Sequence, residues 1–210
     1  MQSAQKNGIH DELGAHVSSA GSLSHAPPRA AALDAVVLQL FTKQPSRWAE
    51  RDVSQQALEL VPRVHVLFET TAGAGRALGA SFDQLAALIH RIPANLQPRL
   101  GVCFDTCHVW AAGYDLRASY HDVMARFDDT IGCERIRLFH LNDSSGALAS
   151  RRDRHAHIGA GALGDEPFRH LLLDDRFTLV PKLLETPKDD DPVAADRRNL
   201  ARLRALRDRA

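Results

Sequence analysis

Six short apolar runs, separated by stretches whose apolar residues recur at helical spacing, constrain this chain more than any other feature of its sequence. The runs cover residues 13–17, 36–41, 64–68, 100–104, 136–139 and 179–184. Those at 36–41, 64–68 and 100–104 are nearly continuous, without the polar alternation of a strand that has one wet face. They read as strands covered on both sides, which is the habit of parallel sheets. Between runs, Phe82, Leu85, Ala86, Ile89 and Ile92 keep helical spacing behind a capping-box start at Ser81 and Gln84. Tyr120, Val123, Met124, Phe127 and Ile131 do the same and stop at Gly132. Shorter helices are expected over 28–33, 54–60 and 168–173. A terminal helix is expected after Asp191 and Pro192, with Leu200, Leu203 and Leu206 inward and its arginines on a solvated face. Strand–helix alternation of this kind builds βαβ units, so the fold class is α/β with a parallel sheet. A length of 210 residues fits one core and one domain, 1–210.

Four of the runs end in a residue that can bind a metal: Glu69, Asp105, His140 and Glu185. In a (β/α) barrel the strands deliver their carboxyl ends to one rim, so the four would converge there. His108 follows Asp105 in the turn, and Asn142 and Asp143 follow His140. A long polar loop over 144–164 then adds Arg151, Arg152, Asp153, Arg154, His155 and His157. Imidazole nitrogens and carboxylate oxygens are the donors zinc accepts. For Asp105 taken alone, a plain helix cap beside a surface histidine is an equal reading. The cysteines, Cys103, Cys107 and Cys133, form no CxxC pair, which argues against a disulfide framework or a Cys-type zinc site and fits a reducing compartment. Positive and negative side chains balance at 26 each, so a nucleic-acid partner needs a local basic surface rather than a global field. No stretch approaches membrane-spanning length and the first residues lack an apolar leader, so no membrane partner and a cytoplasmic location are expected.

Several segments together resemble the endonuclease IV (deoxyribonuclease IV) family of apurinic/apyrimidinic endonucleases. They are GAHVSSAG at 14–21, LFTKQPSRW at 40–48, ETTAGAG at 69–75, GVCFDTCHVWAAGYDLR at 101–117, HLNDS at 140–144, SRRDRHAHIGAGALG at 150–164 and LLETP at 183–187. The resemblance implies a TIM barrel that binds zinc at the strand ends and cuts DNA on the 5′ side of an abasic site. Carried over by motif, Glu69 bridges two zinc ions, and Asp105, His140 and Glu185 complete the second site. His108, Asp153 and His155 make the third, while Glu69 and Glu185 stand as catalytic carboxylates. Two or three ions are implied, with manganese possible. Lys43, Arg47, Arg76, Arg117, Arg151, Arg152 and Arg154 are candidates for phosphate contacts, with Trp48 or Tyr114 against the gap left by the base.

The chain also departs from the family. Only residues 49–68 separate Trp48 from Glu69, where the family has two further βα units, each giving one histidine to the first zinc. Six of eight strands are therefore expected, with Glu69 alone left of the first site. Thr70 stands where the family usually has Asn. His65 lies too deep in its strand to replace a lost ligand, and His16 is nearer the rim. The deletion implies reduced activity. The alternatives are a non-catalytic metal-binding descendant and a sugar isomerase- or epimerase-like metalloenzyme. For the barrel, a βαβ join of 36–41 to 64–68 through a helix in 49–62 is the favoured expectation. An open sheet with two free edges, prone to dimerise, is the other.

Overall fold

The computed structural model describes residues 13–16, 26–35, 37–39, 66–75, 77–92, 94–95 and 97–208. All six expected strands are present and parallel: β1 (Leu13–His16), β2 (Val37–Gln39), β3 (Val66–Glu69), β4 (Leu100–Asp105), β5 (Ile136–His140) and β8 (Lys182–Leu184). They form one sheet in the order β2-β1-β8-β5-β4-β3. A second, two-stranded antiparallel ladder, β6 (Asp143–Ser144) with β7 (His155–Ala156), organises what sequence reading takes for an irregular loop. No helix among the described residues is long and apolar enough to cross a membrane.

Among the described residues the expected join between 36–41 and 64–68 is not seen in the sheet; residues 36, 40–41 and 64–65 lie outside them. Among the described residues, β2 and β3 are its two opposite ends, and no backbone hydrogen bond connects them. The physical reason lies in curvature. A parallel sheet twisted and tilted for an eight-stranded ring spans only part of that ring with six strands. Pairing the end strands would force the interior side chains into a narrower barrel. The helix expected at 54–60, and the crossover segment 49–62, lie outside the described residues.

The helices form where spacing and caps place them: α1 (Ala26–Ala31), α2 (Phe82–His90), α3 (Thr106–Ala112), α4 (Tyr120–Thr130), α5 (Glu166–Leu173) and α6 (Pro192–Arg207). Ser81 caps α2 by accepting from the Gln84 amide, and Asp191 caps α6 by accepting from Ala194. Gly132, at φ +97, takes the left-handed turn that ends α4. Phe104 and Phe139 leave the sheet on the helix side and meet Phe82, Phe127 and Phe177, with ring centroids 4.9–6.3 Å apart. Truncating one such buried ring costs about 3–5 kcal/mol, so this layer holds the sheet against its helices.

The arginines of α6 do more than face water. Arg197 and Arg204 donate to the backbone oxygens of Ala32 and Asp34, clipping the helix to the turn before β2. Arg198 pairs with Asp189, and Arg202 is bidentate on Asp165.

Candidate metal centre

Register brings the expected ligands to one face. Glu69 stands opposite Cys103, Asp105 opposite His140, and His140 opposite Leu183, two residues before Glu185. With a side-chain period of two, Glu69, Asp105, His140 and Glu185 share a pleat phase, while Phe104 and Phe139 point the other way. Their ligand atoms gather within 4.8 Å of one another. His140 Nδ1 is 3.1 Å from Glu69 Oε1, 3.3 Å from Glu185 Oε2 and 3.7 Å from Asp105 Oδ2.

His108, Asp153 and His155 form a second group of the same kind. His108 is not in a turn, nor on the surface. It sits in the first turn of α3 and is 8% exposed. The two oxygens of Asp105 face different ways: Oδ1 accepts from the His108 amide as the α3 cap, and Oδ2 faces the group of carboxylates and imidazoles. The two imidazoles are oriented from behind. His108 Nδ1 donates to the Thr70 carbonyl at 2.8 Å, and His155 Nδ1 donates to the Glu185 carbonyl at 3.0 Å. A carbonyl only accepts, so each Nδ1 carries the hydrogen and each Nε2 presents a lone pair when the ring is neutral. Those Nε2 atoms lie 3.2 Å from the two oxygens of Asp153, and both are buried without a hydrogen-bond partner. With both rings neutral, two lone pairs and a carboxylate converge on one point, an arrangement that fits a divalent cation.

The electrostatics agree. Four carboxylates surround three imidazoles in a mostly buried space. Burial opposes the charge on Glu69, but hydrogen bonds from His108 and His140 outweigh it and hold the carboxyl at about 2. Burial pulls His108 down, yet Asp105, Glu69 and Asp153 together lift it to about 10. His140 is raised by Glu69, Asp105 and Glu185 against its burial. Glu185 is pushed up by burial, with the charges of Glu69 and Asp105 adding to it and that of His140 opposing. The cluster calls for positive charge, which protons supply in the absence of metal.

Neighbouring polar groups fix the ligands. Asn142, fully buried, donates from Nδ2 to Asp105 Oδ2 at 2.8 Å and accepts at Oδ1 from the Glu185 amide at 2.9 Å. It therefore braces Asp105 and Glu185, not His140. Asp143 holds the loop, accepting from the amides of Ser144, Gly161 and Leu163. A Cβ at Gly161 would collide with that carboxylate, so the approach requires glycine. Thr70 Oγ1 accepts from the Asp105 amide at 2.9 Å and so steadies the end of β4. The thiols of Cys103 and Cys107 are buried, and burial pushes both above the ordinary thiol range, Cys107 to about 11. Each lies within 4.8 Å of ligand atoms. Cys103 and Cys107 bracket Asp105 in the sequence, but their closeness to Glu69, His140 and His155 depends on residues far along the chain.

Of the residues expected to touch DNA, Lys43, Arg47, Trp48 and Arg76 lie outside the described residues, as does His65, and the side chain of His16 is likewise not described. Arg117, Arg151, Arg152 and Arg154 are all exposed. Arg117 donates to the Ala162 carbonyl and Arg154 to that of Asp153. Arg151, at φ +54, borders an open groove of about 430 Å³ with Gly73, Tyr114 and Arg126.

Comparison with known proteins places this geometry. The profile of the xylose isomerase-like TIM barrel family matches residues 13–206. A probable endonuclease 4 of Trichlorobacter lovleyi is 50% identical over 171 residues, 79% of this chain and 60% of the relative. One from Geobacter sulfurreducens is 57% identical over 143 residues, 67% of this chain and 47% of the relative. The chain thus spans about half to three fifths of the length of the curated relatives it matches. The crystal structure of endonuclease IV from Thermus thermophilus superposes with a TM-score of 0.78 at 27% identity, covering 94% of this chain and 99% of that one.

Proposed function

The chain belongs to the xylose isomerase-like TIM barrel family, and from that premise we propose that it is a single-domain, zinc-dependent endonuclease that hydrolyses the phosphodiester 5′ to an abasic site. The observation that carries the reading is the pair of buried, partnerless Nε2 atoms of His108 and His155 facing Asp153, beside the Glu69–Asp105–His140–Glu185 cluster. The names of its relatives support the DNA-cutting half.

Glu69, Asp105, His140 and Glu185 would hold one ion, and His108, Asp153 and His155 another. When bound, such ions neutralise a phosphodiester and lower the pKa of water toward neutrality. The rest falls to the side chains. Asp105, fully buried and tied down by Asn142, His108 and Thr70, is the rigid base of the cluster. Glu69, with 39% of its side chain exposed, is ionised at any working pH and faces the opening where a substrate phosphate arrives. Asp153 is at the rim, 55% exposed, and closes the second set from outside. Arg151 and Arg152 flank it as phosphate contacts. Manganese suits the same oxygen-rich donors.

A second reading, a metal-binding descendant without turnover, is favoured by one feature: of the first zinc site of the family, only Glu69 has a counterpart here. One assay separates the two. A duplex with a single tetrahydrofuran abasic analogue is incubated with protein, with and without zinc or manganese. We expect zinc-dependent incision 5′ to the analogue, on the order of 10²-fold slower than a full-length relative and abolished by Glu185→Ala. Absence of metal-dependent incision would sink the enzyme reading, and full relative-level turnover would sink the deficit.

A further inference from the structure

The two ligand groups sit on different pieces of chain. One is carried by strand ends, the other largely by the segment running from Asp153 to Ile158. Something must set the distance between that segment and the end of β8. The β6–β7 ladder and Asp143 anchor the segment on one side, at Ser144, Gly161 and Leu163. On the other side the buried anchor is a side chain of α6, Asn199, 2% exposed and in neither ligand group, while Arg198 and Asp189 hold His157 from the exposed side.

The orientation of the Asn199 amide is fixed by its partners. The Ile158 amide can only donate, so Oδ1 is the atom 3.0 Å from it. Nδ2 then lies 3.0 Å from Thr186 Oγ1, 2.9 Å from His157 Nδ1 and 3.0 Å from the Ala195 carbonyl, and shares its two hydrogens among them. Thr186 is the neighbour of Glu185, whose carbonyl accepts from His155 Nδ1. A closed circuit results: Glu185, Thr186, Asn199, Ile158, and back along the chain to His155. Asn142 ties the same Glu185, through its amide, to Asp105. The ion pairs of α6 with this region, Arg198–Asp189 and Arg202–Asp165, are exposed and contribute little. Asn199 is thus the buried link through which the helix sets where His155 and Asp153 stand relative to Glu185.

We propose that Asn199 is a positioning residue for metal binding, holding the His108–Asp153–His155 group in register with the Glu69–Asp105–His140–Glu185 group through Thr186 and Ile158. The inference rests on reading both groups as metal ligands. Groups that orient a ligand in this way typically govern metal affinity by about 10–100-fold.

The test uses the full chain as wild type, Asn199→Ala, Thr186→Val and His155→Ala. Tight zinc is counted by elemental analysis after dialysis, affinities are measured by titration against a chromogenic chelator, and the cobalt(II)-loaded proteins are compared by visible absorption. We expect two zinc ions in wild type and one in His155→Ala. Asn199→Ala should keep one ion at wild-type affinity and bind the other about 10–100-fold more weakly, with an altered cobalt spectrum. Thr186→Val, which removes one bond and leaves Asn199 in place, should move the same ion less far. If Asn199→Ala does not fold, Thr186→Val decides alone. Wild-type affinities and spectra in Asn199→Ala and Thr186→Val, while His155→Ala drops its ion, would overturn the positioning role and leave the metal reading intact. Fewer than two ions in wild type, or none lost by His155→Ala, would overturn the metal reading and this inference with it.

Discussion

Replacing Asn142 should remove two buried hydrogen bonds at once, each to a residue that carries or adjoins the ligand cluster. Its amide is fully buried and joins two strands, accepting from the Glu185 amide and donating to Asp105, itself fully buried. In Asn142→Ala, Asp105 loses a hydrogen bond to a charged group, worth about 1.5–3 kcal/mol. The Glu185 amide is left without its partner, at about 1–3 kcal/mol. Water entering the space recovers some of this, so a net loss of about 3 kcal/mol is expected. For a chain of this length each kcal/mol moves Tm by about 2–4 °C, which gives a fall near 10 °C. Scanning calorimetry in the presence of a chelator reads it without metal effects. Asn142→Asp sharpens the test: it is nearly isosteric, so packing alone predicts no change. Instead it removes the donor and sets a carboxylate against Asp105, and should lose at least as much. A shift below about 2 °C in both variants would refute the bracing argument.

Two further outcomes follow from the electrostatics and the sheet. In the metal-free protein His108 and His140 are raised, so their contribution to stability is full below the ordinary imidazole value near 6.5 and is lost as pH climbs, for His108 through about 10. Tm measured with a chelator should therefore fall between those limits, whereas zinc, which requires neutral imidazoles, should stabilise increasingly as pH rises; matching slopes would contradict the assignment. In hydrogen exchange, β3 amides pointing away from β4 should exchange faster than those of β4, because β3 is paired on one side only among the described residues. Equal protection would mean that its outer edge is covered.

The strands and the metal-type residues were legible because both are local signals: an apolar run, and a carboxylate or imidazole at its end. Glu69, Asp105, His140 and Glu185 could be placed on one rim from the alternation alone, and the structure brings them within ligand distance. What was not legible depends on partners far away in the chain. Asp105 looked like either a cap or a ligand, and nothing in the sequence says that its two oxygens face different ways. Asn142 stands two residues after His140 in the sequence, but its bonds run to residues 37 and 43 positions away. The arginines of α6 looked solvated because helical spacing says which face is apolar and not which backbone carbonyls lie beside the polar one.

The sheet ends seen among the described residues and the clustered carboxylates and imidazoles are related through strand order. The ligand strands β3, β4, β5 and β8 are four consecutive neighbours in the sheet, and every ladder between them is formed. Among the described residues β2 and β3 are the sheet's two ends, so a gap between them adjoins only one of the four. Parallel strands are held by their neighbours, so a loss confined to that gap leaves the relative positions of Asp105, His140 and Glu185 governed by intact ladders. The His108–Asp153–His155 group is further away, held by α3, the β6–β7 ladder and α6. Glu69 alone stands on the strand beside the gap, and it is also the ligand residue that the family shares with the first zinc. On this geometry the ladders that order Asp105, His140 and Glu185 are formed, and Glu69 is the one of the four whose strand is paired on one side only among the described residues.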